Sequence, residues 1–473
     1  MTEQRHALSK FARLGARAQP PVFVGREAVI EDIKDTASLA YEMWLSGAVD
    51  AEDPGLTRLV QGAPGVGKTA LLRRLREMWG RSEPSSDNPI CVNLTIDALS
   101  DPNKLLQAVT ESLPSPVLKK WGDIVARAVA KHLVAGDEAA NALIDVATAE
   151  TRRLLRRDRV DDFPAPVVLM VDEAQMVAPH TPQASALRSL HLGQVGDIPI
   201  LPVFAGLGYL HRHLQQEGIN LSRFSDEARC IHMLESLSDA ESLDLFAGWL
   251  DHFGIAARRG DADRWGGALL RDAQGWPMHV NGFLRALAEV LATSPDPASL
   301  ASADLDAVRR MAAENRAIYY NGRYAGAVEA NRKWTGLAMA ALRSAQPVQQ
   351  DVATDLFAEV APDNRTGAAA LFDALVERGF LQQVHPGLAY ACPIPSLAAH
   401  AAVIAMGRPE LHAAATIGDV DALRRLLADG ADIEARDTLG RTALAIATEC
   451  DWPDVAKTLI EAGANSDAGA LTG

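Results

Sequence analysis

Residues 61 to 72 read QGAPGVGKTALL, and no other stretch restricts the fold of this chain so tightly. Gly62, Gly65 and Gly67 let the backbone turn back until successive N–H groups point inward, a cradle for phosphate oxygens at the start of a helix. The spacing G-x-x-x-x-G-K-[ST] arrays Gly62, Ala63, Pro64, Gly65, Val66, Gly67, Lys68, Thr69 and Ala70 around a nucleotide. Lys68 then reaches the β and γ phosphates as a point charge, and Thr69 offers its hydroxyl to Mg²⁺. The flanks agree. LTRLVQ before the loop suits a short strand, and KTALLRRLREMWG after it sets Ala70, Leu71, Leu72, Leu75 and Trp79 at helical spacing. The cofactors expected are therefore ATP and Mg²⁺.

A metal held by Thr69 also needs a carboxylate, and APVVLMVDEAQ supplies one. Val167 to Val171 is a continuous apolar run suited to a central strand buried on both faces, with Asp172 and Glu173 at its C-terminal end. Asp172 is expected to join Thr69 in the metal shell, and Glu173 to polarise the attacking water.

At 473 residues the chain is too long for one core, and about three domains are expected. Its net charge of −15 argues against a general nucleic-acid footprint. Cys91, Cys230, Cys392 and Cys450 lie far apart with no C-x-x-C spacing, which suggests neither a disulfide frame nor a zinc site and fits a cytoplasmic location. The most apolar long window, LAYACPIPSLAAHAAVIAMG, is interrupted by Pro393, Pro395 and His400, so no membrane span is expected. The first nineteen residues mix Arg5, Lys10, Arg13 and Arg17 with Leu8, Phe11 and Leu14; they are read as a floppy tail in preference to an amphipathic helix.

Further along, Glu27 to Trp44 reads as a helix and Pro89 to Asp97 as a strand. The step of 103 residues from Thr69 to Asp172 exceeds a minimal nucleotide-binding core, so a helical insertion is expected near 115–160. Its Arg152, Arg153, Arg156, Arg157 and Arg159 are read as a solvated helix face. IPILPVFAGLG is another buried strand, Arg229 to Leu234 the last one, and LSDAES a capped helix start. Residues 236–330 are helical, broken at AQGWPMHV, and 331–407 order three helices before a β-like stretch, which suggests a winged helix. His211 and His213, two apart on a helix, face different ways and are not expected to share a metal.

The end of the chain repeats itself. LHAAATIGDVDALRRLLADGADIEARD and LAIATECDWPDVAKTLIEAGANSDAG align at an offset of 33 residues, with Leu411 on Leu444, Gly430 on Gly463 and Ala431 on Ala464. This is the period of the ankyrin repeat, a helix pair closed by a glycine turn. Two repeats bury little core of their own, so they are expected to pack on the winged helix or on a neighbouring subunit.

FVGRE (Phe23 to Glu27), the phosphate loop, VVLMVDEAQ, PVFAGLG, SRFSDEARCIHMLESLS and GWP (Gly275 to Pro277), followed by a winged helix, resemble the signal-transducing STAND and origin-recognition-like AAA+ ATPases. The resemblance covers about residues 20 to 400. It implies an α/β fold, a P-loop NTPase core of AAA+ type with a helical lid, a winged-helix domain and two C-terminal ankyrin repeats. The divisions expected are a tail at 1–19, the core at 20–235, the lid at 236–330, the winged helix at 331–407 and the repeats at 408–473. It further implies that Val24, Gly25 and Arg26 lie against the adenine, and that Pro277 touches the nucleotide from the lid. Arg223, with Arg229 as second choice, would reach a neighbouring subunit's γ-phosphate. One departure stands out. Phe204, Ala205, Gly206 and Leu207 include no Asn, Thr or Ser where these ATPases place a polar sensor, leaving Gln175 as a substitute and slow hydrolysis as the expectation.

Two functions then compete. One is a switch, possessing slow ATPase activity, in which ATP or ADP sets homo-oligomer assembly and engagement of a protein partner by the ankyrin repeats, in a signalling or defence setting that the resemblance supplies. The other is a DNA-acting ATPase of the replication-initiator or transposition-regulator type. The third winged-helix segment, GAAALFDALVERGF, sets Arg378 against Asp373 and Glu377, a poor reader of a major groove, so the switch is preferred and DNA is not the favoured partner.

Overall fold

The apolar runs that flank the two motifs become strands of one parallel sheet. The computed structural model describes residues 2–13, 21–46, 56–80, 83–113, 122, 124–126, 129, 163–178, 180–192, 198–216, 230–327, 332–343, 347–360, 362–384, 389–394, 397–398, 400, 410–437 and 440–466. After α1 (Thr2–Arg13) and α2 (Glu27–Ser46) come β1 (Arg58–Gln61), α3 (Lys68–Trp79), β2 (Ile90–Leu94), α4 (Pro102–Ser112), β3 (Val167–Val171), α5 (Pro182–Leu192), β4 (Ile200–Gly206), α6 (Leu210–Gln216) and β5 (Ile231–Met233). The sheet order is β2-β3-β4-β1-β5, and every pairing is parallel. All residues of β1, β3 and β4 are buried, as strands covered on both faces require. This order inserts β4 between the strand that carries the phosphate loop and the strand that carries the acids. The C-terminal ends of all three therefore open on the same edge, where ligands of open α/β sheets bind.

The chain divides by its contacts into two compact units, Gly25–Leu234 and Met1–Val24 with Glu235–Gly473. In the first, Leu59, Val92, Leu169, Phe204, Leu187 and Leu210 share one core. Asp32 on α2 ties down two strands, accepting from Arg58 Nε at 2.7 Å and pairing with His232 Nε2 at 2.8 Å. β2 stops at Leu94, short of the expected Asp97, because the Thr95 side chain accepts from Ala98 N–H and turns Ile96–Leu99 into a 3₁₀ turn. Of the expected insertion, Ile124, Val125, Ala126 and Val129 are buried in this core; Arg152, Arg153, Arg156, Arg157 and Arg159 lie outside the described residues.

The second unit contains α7 (Asp239–His252), α8 (Arg259–Ala273), α9 (Pro277–Thr293) and α10 (Leu305–Ala327). Ser238 and Glu241 form a reciprocal capping box at the start of α7. The α8–α9 break at Gly275 needs glycine: its φ is +68°, and a Cβ would run into the Leu237 carbonyl oxygen. Next come α11 (Arg332–Arg343), β6 (Val348–Gln349), α12 (Gln350–Val360), α13 (Ala368–Glu377), β7 (Gln382–Gln383) and β8 (Ala389–Ala391), whose strands pair as a small antiparallel sheet in the order β6-β8-β7. α14 (Glu410–Ile417), α15 (Val420–Ala428), α16 (Ala443–Glu449) and α17 (Pro453–Glu461) complete it as two helix pairs. Both pairs close alike. Gly430 and Gly463 sit at φ +84° and +99°, while Ala431 N–H reaches Leu426 O at 3.0 Å and Ala464 N–H reaches Leu459 O at 2.9 Å.

Two expectations give way here. The N-terminal segment forms helix α1, not a floppy tail, with Leu8 and Phe11 buried in the core of the second unit. Arg5 Nη2 also donates to Ser294 O at 2.8 Å. Leu8 and Phe11, three apart, lie on one helix face, but the partners that bury it, Trp249 and α9 among them, come more than 200 residues later. The helix pairs pack on α10 of the lid segment, where the winged-helix segment or another subunit was expected. Arg309 of α10 donates to Asp272 through Nε at 2.9 Å and Nη2 at 3.1 Å. It also donates to Cys450 O and Asp451 O, each at 3.0 Å, and stacks 4.0 Å from the centroid of a Trp452 ring. A buried charge-paired guanidinium on α10 thus supplies the anchor that two repeats lack.

Candidate functional site

The loop after β1 is shaped by its own glycines. Gly62, Gly65 and Gly67 have φ of +159°, +89° and +103°. Gly65 and Gly67 occupy the left-handed region that favours glycine. At Gly62 space decides instead: a Cβ would meet Val66 Cγ1 at 2.7 Å and the Leu234 carbonyl oxygen at 3.0 Å. Gly62 N–H donates to Gly206 O at 3.2 Å, and Leu234 N–H to Gln61 O at 2.7 Å, so β4 and β5 pin the loop from both sides. Gly67 caps α3 with no side-chain hydrogen bond. The first turn of α3 thus keeps its N–H groups clear of a capping side chain, the arrangement that suits an anion.

Lys68 is buried, and its Nζ donates to Gly62 O at 2.8 Å and Ala63 O at 3.3 Å. The ammonium is folded over its own loop, within reach of the place where phosphates would lie. Across the edge, Thr69 Oγ1 donates to Asp172 Oδ2 at 2.6 Å. Asp172 Oδ1 accepts from Glu173 N–H at 2.9 Å. A hydroxyl and a carboxylate oxygen so close are a donor set fitting for Mg²⁺, with the remaining ligands supplied by phosphate oxygens and water. Among the described residues no group of three or more His, Cys, Asp or Glu could hold a metal by itself. His213 Nε2 is engaged with Val177 O at 2.7 Å.

Glu173 sits in the left-handed region at φ 54°, ψ 37°, rare for a residue with a Cβ and costing of order 1–3 kcal/mol. This kink turns the chain at the end of β3 into the 3₁₀ turn Ala174–Met176. Gln175 Nε2 donates to Glu173 Oε2, and Gln175 Oε1 accepts from Leu207 N–H at 3.1 Å. The amide therefore spans from the acid to the end of β4. Its other neighbour is Gly206, where a Cβ would collide with Gln175 Oε1. The glycine in place of a polar side chain at the end of β4 is thus the counterpart of the glutamine two residues after the acid. Sequence reasoning reached Gln175 but not the pairing with Gly206.

The remaining predicted residues are distributed as follows. Gly25 and Arg26 belong to the first unit, with φ of 72° and 71°. Arg26 Nη2 approaches Val66 O at 3.4 Å, which brings this segment beside the phosphate loop. Sequence reasoning missed that contact; two successive left-handed residues, one without glycine's freedom, leave no readable local signature. Val24 belongs to the second unit and packs against its core. Pro277 is also in that unit, at the first turn of α9, where a missing N–H costs nothing. Arg223 and Arg229 lie outside the described residues. No described helix is long and apolar enough to cross a membrane.

Comparison with known proteins agrees with this geometry at two places. Residues 55–212 match the family model described as AAA domain, and residues 398–470 match the one described as ankyrin repeats in three copies. A 62-residue stretch is 42% identical to protein phosphatase 1 regulatory subunit 27 of Homo sapiens, and equally to that of Mus musculus. It covers 13% of this chain and spans only 40% of the length of those relatives. Among solved structures, the Walker-type ATPase PABY2304 of Pyrococcus abyssi is 14% identical, covering 83% of this chain and 99% of that one at a TM-score of 0.47. The ORC2 protein of Aeropyrum pernix, in ADPNP and ADP complexes, is 12% identical over 84% and 98% at a TM-score of 0.46. At such scores neither superposition bears on function. The matched loop, strand order and helix pairs agree with one another: the chain carries an AAA-type domain with an α/β P-loop core at 55–212, and ankyrin repeats at 398–470.

Proposed function

We propose that the chain is a slow ATP-hydrolysing switch, whose nucleotide state governs self-assembly and the engagement of a protein partner through its ankyrin repeats. The observation that carries this reading is the assembled edge of the sheet: Thr69 Oγ1 and Asp172 Oδ2 2.6 Å apart, Lys68 over the loop, and Glu173 adjoining. Mg²⁺, when bound, would neutralise charge on the β and γ phosphates. Lys68 would exchange its carbonyl contacts for phosphate oxygens, and the N–H groups of the loop and of the first turn of α3 would hold the β-phosphate. Glu173 would take a proton from the attacking water as its oxygen bonds to γ-phosphorus and the bond to the β-phosphate oxygen breaks, leaving ADP and inorganic phosphate. Gly25 and Arg26 on the adenine side, Val24 and Pro277 from the second unit, and Arg223 acting on a neighbouring copy rest on the family resemblance and are proposed with it.

The same resemblance supports residues 20–235 as the core, 236–330 as the lid and 331–407 as a winged helix. The last is further supported by α11, α12 and α13 and by the three-stranded antiparallel sheet among the described residues of that segment. One observation favours the switch over a DNA-acting ATPase. The exposed residues of α13 and its end are Ala369, Ala370, Asp373, Glu377 and Arg378, a face whose charge is acidic on balance and would be repelled by phosphates. Signalling or defence is the setting this reading suits.

The test is the Glu173→Gln variant beside the natural protein. Turnover should fall by about 10²- to 10⁴-fold, the range of a lost general base, with ATP affinity retained. Light scattering should show the variant assembling with ATP–Mg²⁺, not with ADP, and without added duplex DNA. Unchanged turnover would remove Glu173 from the reaction, and assembly that requires DNA would replace the switch with the DNA-acting reading.

A further inference from the structure

We infer that Gln175 is the positioning residue of this site, taking from the β3 side the place that a polar side chain at the end of β4 would otherwise fill. The inference rests on the hydrolysis reading above and deepens it. Its basis is a reciprocal fit between two positions 31 residues apart in sequence, Gln175 and Gly206. Gln175 is buried, with both ends of its amide engaged. The orientation of that amide follows from its partners: a backbone N–H can only donate, so Leu207 faces the oxygen, and a carboxylate accepts, so Glu173 faces the NH₂. Swapping the two would put N–H against N–H and oxygen against oxygen. Gly206 leaves the room, since a Cβ there would meet the amide oxygen and push the Gln175 side chain out of this position.

The consequence is mechanical. Glu173 follows β3 in a left-handed conformation, and its carboxylate is held through one amide to the backbone at the end of the neighbouring strand β4. β4 lies between the acid strand and the phosphate-loop strand, and Gly206 O accepts from Gly62 N–H. Gln175 therefore couples the direction of the base to the phosphate loop by three hydrogen bonds and one strand end. It moves no proton and takes no part in bond making.

Gln175→Met keeps the volume and removes both hydrogen bonds. A side chain that merely fills space would be replaced by it, whereas a positioning residue would not. We expect kcat to fall about 10- to 100-fold, the cost of a misdirected catalytic group, with ATP affinity and melting temperature unchanged. The second arm uses Gly206→Ser. In the natural background its Cβ collides with the Gln175 amide and turnover falls. In a Gln175→Ala background the amide is gone and only the Leu210 side chain, at 3.0 Å, has to give a few tenths of an ångström; the serine hydroxyl then occupies the place of the amide, and turnover rises above that of Gln175→Ala alone. The inference is overturned if Gln175→Met turns over like the natural protein, or if Gly206→Ser costs the same in both backgrounds. The two failures are distinguishable. A natural protein that binds ATP without hydrolysing it removes the hydrolysis reading and this inference with it, whereas normal turnover in Gln175→Met removes this inference alone.

Discussion

Lys68 and Arg309 are both buried cations, one in each unit, and they are buried for opposite purposes. The donors of Lys68 described above go to two neutral carbonyls of its own loop, at 2.8 and 3.3 Å. Those of Arg309 go to both oxygens of Asp272 and to two carbonyls, with an indole ring alongside. Burial alone would weaken the charge of Arg309, but the Asp272 carboxylate outweighs it and holds its pKa above the ordinary value. Bonds to carbonyls can be exchanged for bonds to a polyphosphate at little loss. A bidentate carboxylate pair cannot, because opening it leaves two charges buried. The first cation has contacts that a ligand would take over if the proposed function holds, and the second is part of the fold.

The sharpest way to break this contrast is Arg309→Ala. It strands Asp272 without its guanidinium, removes two donors from the Cys450–Asp451 turn, and should destabilise the second unit by about 3–5 kcal/mol. Chemical denaturation checks the size, and ATP affinity should be retained. Lys68→Ala should do the reverse. Nucleotide affinity should fall at least about 100-fold, or about 2.7 kcal/mol, with the unfolding midpoint almost unmoved. Titration with a fluorescent ATP analogue measures it. Normal affinity in that variant would dismiss the phosphate-loop assignment, and a stable Arg309→Ala protein would show that the helix pairs are held by something else.

Acid should separate the units next. His279 is buried against Tyr320, and burial, aided by nearby Arg316, pushes its imidazole down to about 3. In the same unit burial also lowers His412 and pushes His400 down to about 4. In the first unit burial pushes His191 down to about 4. Each folded imidazole refuses a proton that the unfolded chain accepts near pH 6.5. The stabilisation is therefore complete above that pH and is lost as pH falls below it, at about 1.4 kcal/mol per pH unit for each group, until the folded value is reached. With three such groups against one among the described residues, the second unit should lose stability faster between pH 6.5 and 5. Hydrogen exchange resolved by peptide, corrected for the intrinsic pH dependence, would show it; equal losses in both units would count against burial as the cause.

What could be read in the sequence follows the same division. The phosphate loop is eight consecutive positions whose chemistry is local, and DE at the end of an apolar run is equally local, so both survive without knowledge of the fold. The glycine turns at Gly430 and Gly463 were legible because they recur. Arg309 was not: its carboxylate lies 37 residues before it and its carbonyl partners about 140 after, with no local pattern to join them. Helix α1 failed for a similar reason, since Leu8 and Phe11 gain meaning only from partners far along the chain. Gln175 and Gly206 stand between these extremes. A missing polar residue at one strand end and a glutamine beside the acid of another were each visible, but only the adjacency of β3 and β4 makes them one feature.

The smallest predicted effect tests the two kinds of helix start. α3 begins at Gly67, which offers no capping side chain. α7 begins at Ser238, whose hydroxyl accepts from Glu241 N–H at 3.2 Å while the Glu241 carboxylate accepts from Ser238 N–H at 2.7 Å. One first-turn donor of α7 is thus satisfied by its own cap, whereas α3 has no capping side chain and, on the proposed function, its donors serve an anion. Ser238→Ala opens one N–H at α7 and should cost about 1 kcal/mol, a small downward shift of the unfolding midpoint. Freeing that donor should not create phosphate affinity, because α7 has neither a glycine loop ahead of it nor a lysine at its first turn. If added inorganic phosphate restored the lost stability of Ser238→Ala, an open helix end alone would suffice for anion binding, and the glycines and lysine of the Gly62–Thr69 loop would lose their claim to be what makes α3 a nucleotide site.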